Sequence, residues 1–317
     1  MTKKKTVIKC MLFLGILAVL LHITSWFSVQ MDRSYDPLLN HSARSIFAEP
    51  DETIDTLFIG DSNVYSGVSP MVIWKNYGFT GYAWGEPSQR ITETYEYLKE
   101  IYKHQKPKVV FIEPGNVFRD KSDVSNLDSL VKAMISRIFP VVTYHKNLDL
   151  HKLRNMKTSP RSITKGFYIR EQKKKPRTIK MRSEKTHERV PVSKVAQKYL
   201  KKSIELCQKN GSEVVLLSIP SYNAWNTKKH NSLKDMADKN KIPFVDLNLI
   251  LEKNMNWKND TPDGTHLNII GAKKVSEWMG AYLDKHYDLQ DHRDDPAYKQ
   301  WEEDSKIYEK KMKVEVN

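Results

Sequence analysis

Two segments far apart in the chain carry residue types that together can activate a hydroxyl. Gly60-Asp61-Ser62-Asn63 offers a serine, and Asp263-Gly264-Thr265-His266-Leu267-Asn268 offers a carboxylate and an imidazole three residues apart. A serine hydroxyl is a poor nucleophile near neutral pH. It needs an imidazole to take its proton and a carboxylate to fix the imidazole tautomer and stabilise its cation. The chemistry open to such a set is attack on a carbonyl and transfer of the acyl group. Either segment alone is commonplace: Gly-Asp-Ser is an ordinary strand-to-turn tripeptide, and Asp-x-x-His is more often a capping aspartate near a surface histidine.

The flanking residues connect the two segments. Thr56-Leu57-Phe58-Ile59 is a short apolar run ending at Gly60, which predicts a buried strand that delivers Ser62 to its carboxyl end. Ligands of open α/β sheets bind at that edge. Asp263 and His266 precede Ile269-Ile270-Gly271-Ala272 and a helical pattern through Val275, Trp278, Met279 and Tyr282, so one loop before the last core helix can supply both acid and base. Between them, strand and helix patterns alternate. Strands are expected at Gly81–Trp84, 108–112, 213–219 and 242–247, and helices near Pro70–Asn76, Ser88–Lys103, 193–210 and 229–240. This order implies a three-layer α/β/α sandwich around a central parallel sheet.

Residues 121–192 break the rhythm. They open with an amphipathic stretch (Leu127, Leu130, Val131, Met134, Ile135, Ile138) and end in a segment containing Lys173-Lys174-Lys175-Pro176-Arg177. They read as an insertion, either a lid or arm facing the substrate or a solvated loop. The expected organisation is a Lys-rich tip and apolar segment at 1–29, a linker at 30–50, the α/β domain at 51–287 with that insertion, and a charged tail at 288–317. Tyr298, Trp301 and Tyr308 in the tail have the spacing of a docking helix.

At the N-terminus, Lys3, Lys4, Lys5 and Lys9 precede the apolar run Cys10–Val29, which as a helix would be about 30 Å long, the thickness of a bilayer core. The expectation is a single transmembrane helix with its lysines in the cytoplasm and the remaining chain outside. The alternative is a cleaved signal peptide, against which stands the lack of a good small-x-small cleavage site. A Cys10–Cys207 disulfide would join this segment to the folded domain and is not expected. The formal charge of +14 would suit nucleic acid, yet no zinc spacing, RNP-like motif or helix-turn-helix pattern accompanies it. Anionic head groups and wall polymers attract the same charge. The histidines outside the pair show no metal-ligand spacing, and neither a metal nor an organic cofactor is implied. Tyr65, Trp84 and Trp225 could flank a sugar, although packing is the commoner role of such aromatics.

These residues resemble the SGNH (GDSL-like) hydrolases and acyltransferases, in particular their membrane-anchored bacterial branch. Gly60-Asp61-Ser62 is similar to the block that carries the nucleophile, Gly115-Asn116 after a strand to the block whose Asn binds the oxyanion, and Asp263-x-x-His266 to the final block. The resemblance implies an SGNH/flavodoxin-like fold, catalytic Ser62, Asp263 and His266, and an oxyanion site of backbone N–H groups with Asn116. Gly85-Glu86-Pro87-Ser88-Gln89 departs from the second block, whose glycine donates its N–H. Here Gly85 or Ser88 stands for it, and Val117 follows Asn116 where the family usually has Asp. The anchored branch includes O-acetyltransferases of envelope polysaccharides and the D-alanine-transfer protein of lipoteichoic acid, which work beside membrane-bound O-acyltransferases. The resemblance therefore implies an extracellular esterase or O-acyltransferase acting on a cell-envelope glycopolymer, with such a membrane enzyme as partner. A noncatalytic polymer-binding or assembly role on a degenerate SGNH fold is the alternative.

Overall fold

The computed structural model describes residues 2–32, 37–119, 123–145, 148, 161–170 and 186–316. Five parallel strands form one sheet: β1 (Thr56–Gly60), β2 (Gly81–Gly85), β3 (Val109–Ile112), β4 (Glu213–Ser218) and β5 (Phe244–Asp246), in spatial order β2-β1-β3-β4-β5. This is the flavodoxin-like order, in which the winding reverses between β1 and β3. Strands covered on both faces read as continuous apolar runs, as Leu57-Phe58-Ile59 and Val109-Val110-Phe111-Ile112 do. Leu57, Ile59, Val110 and Ile112 point into one core with α4 (Ile91–Ile101) and α7 (Lys194–Lys209). Phe58 and Phe111 stack at 4.9 Å in the other, with Val275, Met279 and Leu283 of α10 (Ile269–His286). Burying each such side chain contributes about 1.5–3 kcal/mol. The parallel sheet with helices on both faces is the expected fold class.

Local chemistry sets the element ends. Asp61 caps α2 (Ser62–Gly67) by accepting the Asn63 N–H, a short helix not anticipated because it follows β1 with no intervening loop. Pro70 opens α3 (Pro70–Tyr77), and Gly78 closes it in the left-handed region. Helix α4 begins at Ile91, later than the expected Ser88. Ser88 itself is left-handed (φ 59°), and the Arg90 N–H donates to the Glu93 carboxylate at 2.6 Å. Asn226 caps α8 (Thr227–Asn240), and β5 leads directly into α9 (Leu247–Ile250).

The segments flanking the α/β unit are built into it. In the connector, a 3-10 turn at Ala43–Ala48 buries Ala43 and Ile46, and the Tyr82 hydroxyl donates to the Ser42 carbonyl. Within residues 121–192, α5 (Asp123–Ile138) packs on α4 and α7 and is followed by α6 (Val141–Tyr144). Residues 161–170 bury Ile163 and Phe167, and the Lys165 carbonyl accepts the Ala83 N–H beside β2. These parts pack into the body of the domain; the basic run at 173–177 lies outside the described residues. After residue 288, α11 (Lys299–Val316) docks on α3 with Trp301 and Tyr308 buried. At the other end, α1 (Thr2–Asp32) holds the stretch Lys3–Val29, long and apolar enough to cross a membrane. Cys10 is exposed on it, while Cys207 is buried and reduced, its thiol pushed up to about 12 by desolvation.

Candidate active site

Ser62 leaves the carboxyl end of β1, and Glu113 to Asn116 leave the end of β3, so both flank the point where the sheet order reverses. The loop from Thr261 to His266 meets them from the start of α10. It is held by Asn268, whose side chain caps α10 by accepting the Ile270 and Gly271 N–H groups. It is pinned laterally as well: Ser221 Oγ donates to the Thr265 carbonyl, Asn223 Nδ2 to the Asp263 carbonyl, and Asn223 N to the Gly264 carbonyl. Gly264 has φ +77°, and a Cβ there would lie 2.3 Å from Asn223 Nδ2, so the turn between acid and base requires glycine.

The three expected reactive side chains form one relay. Ser62 Oγ is 2.8 Å from His266 Nε2, and His266 Nδ1 is 2.7 Å from Asp263 Oδ2. Asp263 Oδ1 accepts the N–H groups of Thr265 and His266 at 2.8 and 2.7 Å. Burial pushes the Asp263 carboxyl up, but the hydrogen bonds from the His266 ring and these two N–H groups outweigh it and hold the pKa well below the carboxylate range. An ionised Asp263 can only accept, so Nδ1 carries the imidazole proton. Nε2 then presents its lone pair to the serine hydroxyl.

Ser62 and His266 line a cleft of about 490 Å³ that also exposes Ser88, Glu113, Gly115, Phe118, Arg119, Trp225 and Lys229. Of the two candidates in the altered second block, Ser88 reaches the cleft. Gly85 instead lines a separate cavity with His41 and Tyr65, its Cα backed against the Asp61 carbonyl. Ser88 also occupies the left-handed conformation that glycine adopts at least cost. Asn116 is buried next to cleft-lining Gly115, with neither side-chain amide atom hydrogen-bonded. A buried, unpaired amide costs about 1–3 kcal/mol, so this one is a polar group held without a partner. Among the aromatics, Trp84 is fully buried in the core and Tyr65 nearly so, whereas Trp225 walls the cleft with its Nε1 fixed on Asp246.

Two cations were not anticipated. Arg119 donates to Asp61 Oδ2 at 2.5 Å and to Ser88 Oγ at 3.2 Å, tying the segment after β3 to those after β1 and β2. Lys229 donates to the Ala224 carbonyl, and desolvation lowers its pKa. Neither lies in a motif, and only the fold brings them to Ser62. Glu113 stands between them, Oε1 accepting the Gly115 N–H at 3.0 Å and Oε2 buried without a partner. Burial first, then the Asp61 carboxylate, raise its pKa to about 8 against the opposing pull of the Gly115 N–H, Arg119 and Lys229. Between the ordinary value of 4.5 and about 8, the folded state therefore binds more protons than the unfolded one, and stability falls as pH rises through that window. Glu113→Gln abolishes this titration. Thermal unfolding between about pH 5 and about pH 8 is expected to show a shallower loss for the variant than for the native protein. Among the described residues, no group of three or more His, Cys, Asp or Glu side chains could hold a metal ion.

An α/β/α protein with a Ser-His-Asp relay at the carboxyl edge of a parallel sheet is what the geometry defines. No protein-family model and no curated protein matches the chain. Solved structures that resemble it are GDSL-type hydrolases and acylhydrolases. One is a protein from Desulfitobacterium hafniense assigned to the G-D-S-L lipolytic family (15% identity, 72% of this chain and 98% of that one, TM-score 0.41). Others are a GDSL-like lipase from Bacteroides thetaiotaomicron (15%, 73% and 87%, TM-score 0.38) and a catalytic mutant of an acetylxylan esterase from Geobacillus stearothermophilus (14%, 74% and 95%, TM-score 0.37).

Proposed function

We propose that the protein is a membrane-anchored serine esterase or O-acyltransferase that removes or adds a small acyl group on an extracellular cell-envelope glycopolymer. The observation that carries this reading is the continuous relay from Ser62 Oγ through His266 to Asp263, with Ser62 and His266 lining an open cleft. As Ser62 Oγ bonds to the acyl carbon, its proton passes to His266 Nε2. His266 returns that proton to the leaving oxygen as the old C–O bond breaks. Water or a sugar hydroxyl then gives its proton to His266 and bonds to the acyl carbon; as the Ser62 Oγ–acyl bond breaks, His266 passes that proton to Ser62 Oγ. The tetrahedral oxyanion would be met by the Ser62 and Ser88 N–H groups, each good donor contributing roughly 3–4 kcal/mol, and by the Asn116 amide once it turns into the cleft.

The formal charge of +14 favours an anionic polymer over a neutral one. The stretch Lys3–Val29, with lysines on its N-terminal side, supports an anchor that leaves the domain outside. A membrane-bound O-acyltransferase as acyl donor rests on the family resemblance. Incubation with a fluorophosphonate tests the chemistry: the probe is expected to label Ser62 of the native protein, and neither Ser62→Ala nor His266→Ala should be labelled. A second reading, a noncatalytic polymer-binding or assembly partner, is favoured by one feature: the Asn116 amide is buried beside the cleft instead of opening into it. Polymer binding without any labelling of the native protein would select it.

A further inference from the structure

Helix α5 carries apolar residues on two faces. Leu130 and Ala133 are buried toward α4 and α7, as that packing requires. Leu127, Val131, Met134, Ile135 and Ile138 recur at the spacing of a single helical stripe and are exposed, Val131 and Ile138 by 54% each. Val142 of α6 extends the stripe at 40% exposure. A contiguous exposed apolar face of this kind marks an interaction surface.

Its position relative to α1 says what covers it. Helix α6 and the residues before it pack on the C-terminal part of α1. The Val141 N–H donates to Ser25 Oγ at 3.1 Å, and the Phe139 ring meets His22 edge-on at 5.1 Å. Trp26, exposed by 51% one residue beyond Ser25, is the residue type that settles at the boundary between acyl chains and head groups. His22 lies about one helical turn, roughly 6 Å, deeper along α1. The contacts at Phe139 and Val141 therefore set the end of the stripe at the boundary itself or just beneath it. We propose that the exposed face of α5 and α6 lies in the outer surface of the lipid bilayer, as an interfacial helix that holds the domain against the membrane in addition to its anchor. This rests on the reading of α1 as a retained membrane span. A helix in this position buries its apolar face about 5–10 Å into the head-group region, and the basic character of the chain adds attraction to anionic lipid. Arg119 in the cleft wall lies four residues before α5 begins, so the same contact would fix how the active site faces the membrane.

The full chain with Cys10→Ser, retaining buried Cys207, can carry one cysteine-attached environment-sensitive fluorophore per variant. The sites are Val131→Cys, Ile135→Cys or Ile138→Cys on the stripe, Leu17→Cys within α1, and Lys234→Cys on α8 as an aqueous reference. Each protein is reconstituted in phosphatidylethanolamine/phosphatidylglycerol vesicles and quenched with iodide in the water or with nitroxide-bearing lipid. The stripe labels are expected to be quenched severalfold more by shallow nitroxides than the Lys234 label and to be sheltered from iodide. If they follow Lys234 while the Leu17 label is quenched by lipid, the stripe inference is overturned and the anchor stands. Shelter from both quenchers would mean that a second copy covers the stripe and would also overturn it. A Leu17 label untouched by lipid nitroxides would remove the anchor reading and the inference with it.

Discussion

Asp263→Asn is expected to lower turnover of an activated acetyl ester by about 10⁴, short of the about 10⁶ expected for Ser62→Ala or His266→Ala, while leaving the fold intact. The size of the effect follows from which atoms the carboxylate serves. Oδ1 takes the N–H groups of Thr265 and His266, and Oδ2 takes the ring Nδ1–H. In asparagine, the oxygen can still satisfy both backbone donors, so the loop is preserved. The NH₂ then faces Nδ1, which must become an acceptor, and the imidazole proton moves to Nε2. A protonated Nε2 at 2.8 Å from Ser62 Oγ can only donate to it, and the base is lost without any atom having moved far. Residues that act as one relay are not additive, so Ser62→Ala combined with Asp263→Asn should be little slower than Ser62→Ala alone. Steady-state rates of the two single variants and the double variant, with circular dichroism as the folding control, check this. Losses that multiply in the double variant would mean that Asp263 acts on something other than the serine through His266.

What was legible in the chain was local. The relay's acid and base sit three residues apart in one loop, and Ser62 directly follows an apolar strand run, so both ends of the chemistry could be read from neighbours in sequence. The strands were legible for a related reason: a strand buried on two faces has no polar positions to break its run. What escaped depends on contacts between distant segments. Arg119 reaches the site only because β3 lies beside β1, and Lys229 only because α8 starts under the cleft. Nothing within either residue's own neighbourhood encodes that approach. The start of α4 was misplaced because Ser88 adopts a left-handed conformation, and that backbone choice serves the cleft rather than the helix. The connector and residues 161–170 read as a linker and part of an insertion. Their buried polar side chains instead pair with each other and with α11.

Lys165 shows how much depends on that. Its side chain is fully buried, with Nζ 2.8 and 2.9 Å from the Glu49 carboxylate oxygens, 3.0 Å from Asp304 Oδ2 and 4.5 Å from the centre of the Trp301 ring. Arg161 completes the charge balance on the other Asp304 oxygen at 2.9 Å. Three segments that are remote in sequence thereby share one buried ion cluster: the connector, the 161–170 segment and α11. Burial drives the Glu49 pKa up, and the charge and hydrogen bonds of Lys165 oppose the rise without cancelling it. Lys165→Met, unbranched and one atom shorter, leaves Glu49 without its lysine and Asp304 with Arg161 alone. Breaking a buried pair in this way costs about 3–5 kcal/mol. In detergent solution the variant should melt well below the native protein. Amide exchange should rise first in residues 299–312 of α11, whose tether is lost. The pH dependence separates this cause from a mere packing defect. Glu49, buried and now without its lysine, takes up a proton more readily when folded than when unfolded, so the variant must gain stability relative to the native protein as pH falls through the carboxylate range. A deficit that stays constant from about pH 8 to about pH 5 would show that the cluster contributes shape and little charge.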